Sequence, residues 1–167
     1  MHVLEALYKA HPEAIRTKNC ANFTPLTLAV RFNDEAVVRF LLDHGAEPNE
    51  WAERPDQVET VLHQTIRQVS RGWCTAAADD SPIARLVRAG APICGQLDVK
   101  ARPPLHVACE WAAKGERFGV DPPSAYAAIH ELLSLGADPQ EVWPCGSDRR
   151  RAQDYLKASK GGATTSE

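Results

Sequence analysis

Between Pro25 and Asp43 the apolar positions fall into two short helical runs. Leu26, Leu28, Ala29 and Val30 share one face, Asn33-Asp34 interrupt it, and Val37, Val38, Leu41 and Leu42 resume the helical spacing until Gly45. Helices this short are marginal in water, and a single pair cannot bury its own apolar stripe. The pattern therefore predicts a helix–turn–helix unit that must stack against others.

The same punctuation recurs along the chain. A Gly-Ala helix stop stands at Gly45-Ala46, Gly90-Ala91 and Gly136-Ala137. A helix start reads TPLT at Thr24, TVLH at Thr60, PPLH at Pro103 and, more faintly, RAQD at Arg151. Start and stop lie 21 residues apart in the first unit, 30 in the second and 33 in the third. The surplus falls between the helices, in SRGWCTAAADD before Ser81-Pro82 and in KGERFGVDPP before Ser124. Ser81, with proline at the first helical position, and Ser124 are the expected N-caps of the second helices. Both inserts should leave from one edge of neighbouring units as surface loops lying side by side, carrying Trp73 and Phe118. Lengthening a surface loop costs little closure entropy.

These residues resemble the ankyrin repeat, with its T-P-L-H-x-A opening and period of about 33 residues. The resemblance implies an all-α fold, an ankyrin-repeat solenoid of stacked helix–turn–helix units with short β-hairpin-like fingers. It sets an ankyrin-repeat domain at 1–160, with a partial unit at 1–22 and repeats at about 23–58, 59–101 and 102–149. A closing unit at 150–160 and a disordered tail at 161–167 complete the division. The stop-to-start segments that would form the fingers are 15, 13 and 15 residues long, slightly more than the family's usual length. Asn22 stands where the family usually has glycine, and asparagine tolerates the left-handed backbone expected there. Upstream, Val3, Leu4, Leu7 and Tyr8 form a helical packing face, part of which is expected to be exposed or covered by another molecule.

Composition narrows the function classes. A net charge of −3, with 44% hydrophobic and 25% charged residues, gives no electrostatic case for nucleic acid or an anionic membrane. No apolar run is long enough to cross a bilayer, and the first residues lack the features of a signal peptide. Five cysteines without a CxxC pair read as reduced thiols of an intracellular protein, cytoplasmic or nuclear.

Candidate chemistry is sparse. His63 and His106 occupy the histidine of the T-P-L-H motif, where the resemblance implies a structural hydrogen-bonding role. No HExxH, close His/Cys cluster, GxxxxGK[ST] or GxGxxG is present. The expectation is a protein without catalysis, cofactor or metal, whose partner is another protein. The alternative is a subunit that self-associates through its N-terminal face. Trp51 and Trp143 fall in finger segments, either as exposed anchors of the type enriched at interface hot spots or as plugs folded back on neighbours. Arg31, Arg67 and Glu110 align near the ends of the first helices, as do Phe32 and Trp111 one position later. These either border one groove or, for Phe32 and Trp111, pack inward against their own second helices. The partner-binding candidates are thus Trp51, Trp143, Arg31, Phe32, Arg67, Glu110 and Trp111.

Overall fold

The computed structural model describes residues 2–49, 51–54, 57–73, 81–94, 102–115 and 119–140, with backbone alone for 51–54, 57 and 58. The closing unit, the tail, Trp143, Phe118 and the finger at 95–101 lie outside the described residues. Seven α-helices are described: α1 (His2–Ala10), α2 (Pro25–Arg31), α3 (Glu35–Asp43), α4 (Val61–Val69), α5 (Pro82–Arg88), α6 (Pro104–Lys114) and α7 (Pro122–Ser134). One hairpin, β1 (Trp51–Arg54) with β2 (Gln57–Thr60), forms the first finger, antiparallel with Trp51 opposite Thr60.

Five of the described helices start where a short polar side chain receives an otherwise unpartnered N–H, whereas α6 begins behind Pro103 without one. Thr24 accepts from Thr27, Asp34 from Val37, Thr60 from His63 and Ser81 from Ala84. The second helix of the third unit departs from expectation. Its cap is Asp121, which accepts from the N–H of Ser124, so Ser124 lies inside the first turn. The paired prolines at 122 and 123 begin that helix, and proline is at ease in a first turn where its missing N–H has no role.

The Gly-Ala stops behave alike. Gly45, Gly90 and Gly136 have φ of 85°, 104° and 98°, a region costly to residues with a Cβ. The reversal lets the N–H of Ala46, Ala91 and Ala137 reach back to the carbonyls of Leu41, Leu86 and Leu132, closing each helix with the glycine-dependent C-terminal motif.

Packing repeats with the sequence frame. Leu26, Leu62 and Leu105 hold the same place in the three first helices, and Leu41, Leu86 and Leu132 in the three second helices; all are buried. Full burial of such a side chain contributes about 1.5–3 kcal/mol. Consecutive first helices touch, α2 to α4 to α6, and consecutive second helices touch, α3 to α5 to α7. The helices of each unit also pack on one another.

The two inserts meet as expected: the Asp121 N–H donates to the Ser70 carbonyl at 2.8 Å. They are more than surface loops, however. Trp73 and Val120 are buried in the common core, because each insert returns an apolar residue to the helices it leaves. At the other end, Leu4 and Tyr8 of α1 pack on the core. The Tyr8 ring meets Phe40 and His44 edge-on at 5.9 and 4.5 Å. Val3 and Leu7 are 74% and 58% exposed. Asn22 has φ of 62°, as its place in the repeat requires.

Candidate functional site

The first helices carry a recurring pair that sequence inspection overlooked. In each unit the residue just before the helix start meets the residue seven positions after it. Phe23 lies under the Arg31 guanidinium, whose central carbon is 5.5 Å from the ring centroid. Glu59 is ion-paired with Arg67, and Arg102 with Glu110. The helix geometry explains the spacing, since two turns bring position seven back to the face on which the finger descends. The polarity of the pair reverses between the second and third units. The sequence signal was available in the aligned column before each start, Phe23, Glu59 and Arg102.

These pairs change the standing of three candidates. Arg67 and Glu110 are bound to the residues that precede their own helix starts, and Lys114 reaches Glu110 as well at 3.3 Å. Burial pushes the Glu110 carboxyl up, but the positive charges of Arg102 and Lys114 outweigh it and hold the group below the usual carboxylate range. Arg31 is exposed and has no acidic partner among the described residues.

The two aromatic candidates separate. Phe32, the C-cap of α2, is 75% exposed. Trp111 is 7% exposed and belongs to the core, so as a direct anchor it is corrected. α6 runs to Lys114, four residues beyond the point equivalent to the end of α2 minus its cap, and turns Trp111 inward rather than leaving it at a helix end. Its ring supports two cations: the Arg71 guanidinium carbon at 4.8 Å and the Lys114 ammonium at 4.4 Å from the centroid. Trp51 stands at the start of β1, and its side chain is not described; Trp143 lies outside the described residues.

The motif histidines are structural. His63 is fully buried, with Nε2 3.0 Å from the Arg102 carbonyl and Nδ1 2.6 Å from Thr60 Oγ1. A carbonyl only accepts, so Nε2 carries a proton and donates it to Arg102. Both nitrogens are thereby occupied, and the ring ties the second unit to the base of the next finger. His106 is likewise buried. Among the described residues no group of three or more His, Cys, Asp or Glu side chains is placed to hold a metal ion, and no described helix is long and apolar enough to cross a membrane. Burial pushes the Cys109 thiol up to about 12, which leaves it protonated and unreactive at neutral pH.

A family model described as the ankyrin repeat matches residues 21–52. No curated protein matches the chain. The matched segment holds the capped helix pair and its Gly-Ala stop, and the same start, stop and buried leucines return in the two units that follow. The match over residues 21–52 supports an ankyrin-repeat protein.

Proposed function

We propose that this chain, in keeping with the general role of ankyrin repeats as protein–protein interaction modules, binds its partner without catalysis, through the finger tips and the exposed ends of the first helices. The observation that carries the reading is Phe32, a large apolar side chain 75% exposed beside the exposed Arg31 in the matched repeat. Phenylalanine and arginine are both among the residues enriched in protein–protein interfaces. Trp51 and Trp143 belong to the same proposed surface by virtue of their finger positions, while Arg67, Glu110 and Trp111 support it from beneath. The buried His63, engaged at both ring nitrogens, argues for scaffolding over proton transfer.

The test is affinity capture from the source's lysate followed by titration of the captured protein against variants. Phe32→Ala and Trp51→Ala should each weaken binding by about 2 kcal/mol, a roughly thirtyfold loss. Unchanged affinity in both would remove the finger and first-helix surface from consideration.

Exposed Val3 and Leu7 on α1 favour a second reading, self-association through the N-terminal face. Sedimentation equilibrium decides it: a concentration-dependent dimer abolished by Val3→Glu with Leu7→Glu supports this reading, and a strict monomer removes it.

A further inference from the structure

Two exposed arginines near the first-helix ends each lie over an aromatic ring. Arg31 lies over Phe23 and Arg71 over Trp111. Both are exposed, and neither has an acidic partner among the described residues. They are linked through Gln68, whose Nε2 donates to the Arg31 carbonyl at 3.1 Å one turn before Arg71 on the same segment. Lys114 shares the Trp111 ring with Arg71, so a third cation stands at this edge, half-neutralised by Glu110. Asp34, three residues after Arg31, receives the N–H of Val37 as a helix cap, and Asp121, whose own N–H bonds the Ser70 carbonyl, receives that of Ser124.

We infer that this edge, from Phe32 past Arg71 to Trp111, is a docking strip for an acidic protein segment carrying an apolar side chain. The inference deepens the proposed function and rests on it. Charge complementarity commits the occupant. A guanidinium held over an aromatic ring without an ion-pair partner retains N–H donors that can match a carboxylate in bidentate fashion. Stacking also restricts the side chain beforehand, so less freedom is lost when the ligand binds. Phe32 supplies the apolar contact at one end. A net charge of −3 for the whole chain disfavours a long polyanion such as nucleic acid, which would meet repulsion outside the strip.

The experiment uses the full chain, ¹⁵N-labelled, and two fluorescein-tagged probes. One is a short peptide of glutamates interrupted by a leucine and a phenylalanine; the other replaces every glutamate by lysine. The acidic probe should shift the amide signals of Arg31, Phe32, Gln68 and Arg71, with binding that weakens as salt rises from about 0.05 to 0.3 M. The double variant Arg31→Gln with Arg71→Gln should bind it at least about tenfold more weakly, measured by anisotropy. Arg39→Gln with Arg88→Gln, removing two exposed charges from second helices, should stay within about twofold. Should the first double variant fail to fold by circular dichroism, Arg31→Lys with Arg71→Lys keeps the charge and loses the planar fork, and an affinity loss of about threefold or more is then expected. Equal binding of the lysine probe, equal loss in both glutamine pairs, tighter binding of a single-stranded oligonucleotide, or no amide shifts at millimolar probe would each overturn the strip. A captured natural partner that ignores Arg31→Gln with Arg71→Gln would overturn it too, while leaving the interaction-module reading intact.

Discussion

The reversed ion pairs of the second and third units predict a specific rescue. Arg102→Glu sets a carboxylate beside Glu110 at a place where the arginine side chain is 9% exposed and the glutamate 27%. Removing one partner of a buried pair costs about 3–5 kcal/mol, whereas an exposed pair contributes about 0–1. Glu110 is partly solvated and retains Lys114 at 3.3 Å, which places the single substitution near 2–3 kcal/mol. Adding Glu110→Arg gives the third unit the polarity that Glu59 and Arg67 already hold in the second. The double variant should recover all but about 1 kcal/mol, the remainder including a few tenths for a cation four residues before Lys114 on one helix face. Urea unfolding followed by circular dichroism and by tryptophan fluorescence measures the cycle, provided the two transitions coincide. With a slope of about 1–3 kcal/mol per molar urea, the single variant loses roughly 1 M in midpoint and the double variant less than half of that. A coupling energy below about 0.5 kcal/mol, the size expected for independent sites, would refute the claim that the paired columns tie each helix to the residue before its start.

Three further outcomes are expected. Glu131 accepts from the Ser81 hydroxyl and the Ala84 N–H, yet burial holds its carboxyl above the usual range. Its ionised form is thus penalised at neutral pH, and the penalty lifts as pH falls through the raised value. Glu110 works in the opposite direction, contributing above the ordinary carboxylate range and losing that contribution in acid as its lowered value is passed. Glu131→Gln should accordingly hold or raise the melting temperature at pH 7 and lose that advantage near pH 4 by calorimetry; a fall at pH 7 exceeding 1 kcal/mol would show that the charge itself is needed. Trp111→Ala should cost about 3–5 kcal/mol and Phe32→Ala under about 0.5, read by the same urea series, and comparable losses would mean that the two rings share one environment. Asn22→Ala should cost about 1–2 kcal/mol while Asn22→Gly changes little, since φ of 62° burdens only residues whose side chain clashes there.

The repeat frame was legible because it is local: a capping threonine, a run of apolar residues at helical spacing and a glycine whose backbone reversal ends the helix all act within a few positions. The left-handed Asn22 was readable on the same ground. Phe32 and Trp111 were not separable, for they occupy one alignment column, and only the longer α6 with its buried insert residues draws the tryptophan inward. Ser124 was mistaken for a cap because serine before an apolar run fits the rule, while Asp121 ahead of two prolines fits it better once the helix is seen to begin there. The pairing of Arg67 and Glu110 with Glu59 and Arg102 was hidden by the change of sign, which disguises one recurring contact as unrelated charges. The candidate site therefore emerged in outline, and its division into exposed and internally engaged members required coordinates.

The hydrogen bond between the inserts makes the array unequal along its length. Arrays of this kind derive stability from intrinsic unit terms plus coupling between nearest neighbours. The second and third units share the Asp121–Ser70 bond, the His63 bridge to the Arg102 carbonyl, the Ser81 and Ala84 ties to Glu131, and the packing of α4 on α7. The first and second share helix packing and the Gln68 bond to Arg31. Thermal fluctuation should accordingly open the molecule from α1 through α3 while α4 to α7 persist as a single cooperative block, so the matched repeat, with its exposed phenylalanine, is also the segment with the most latitude to adjust to whatever it meets.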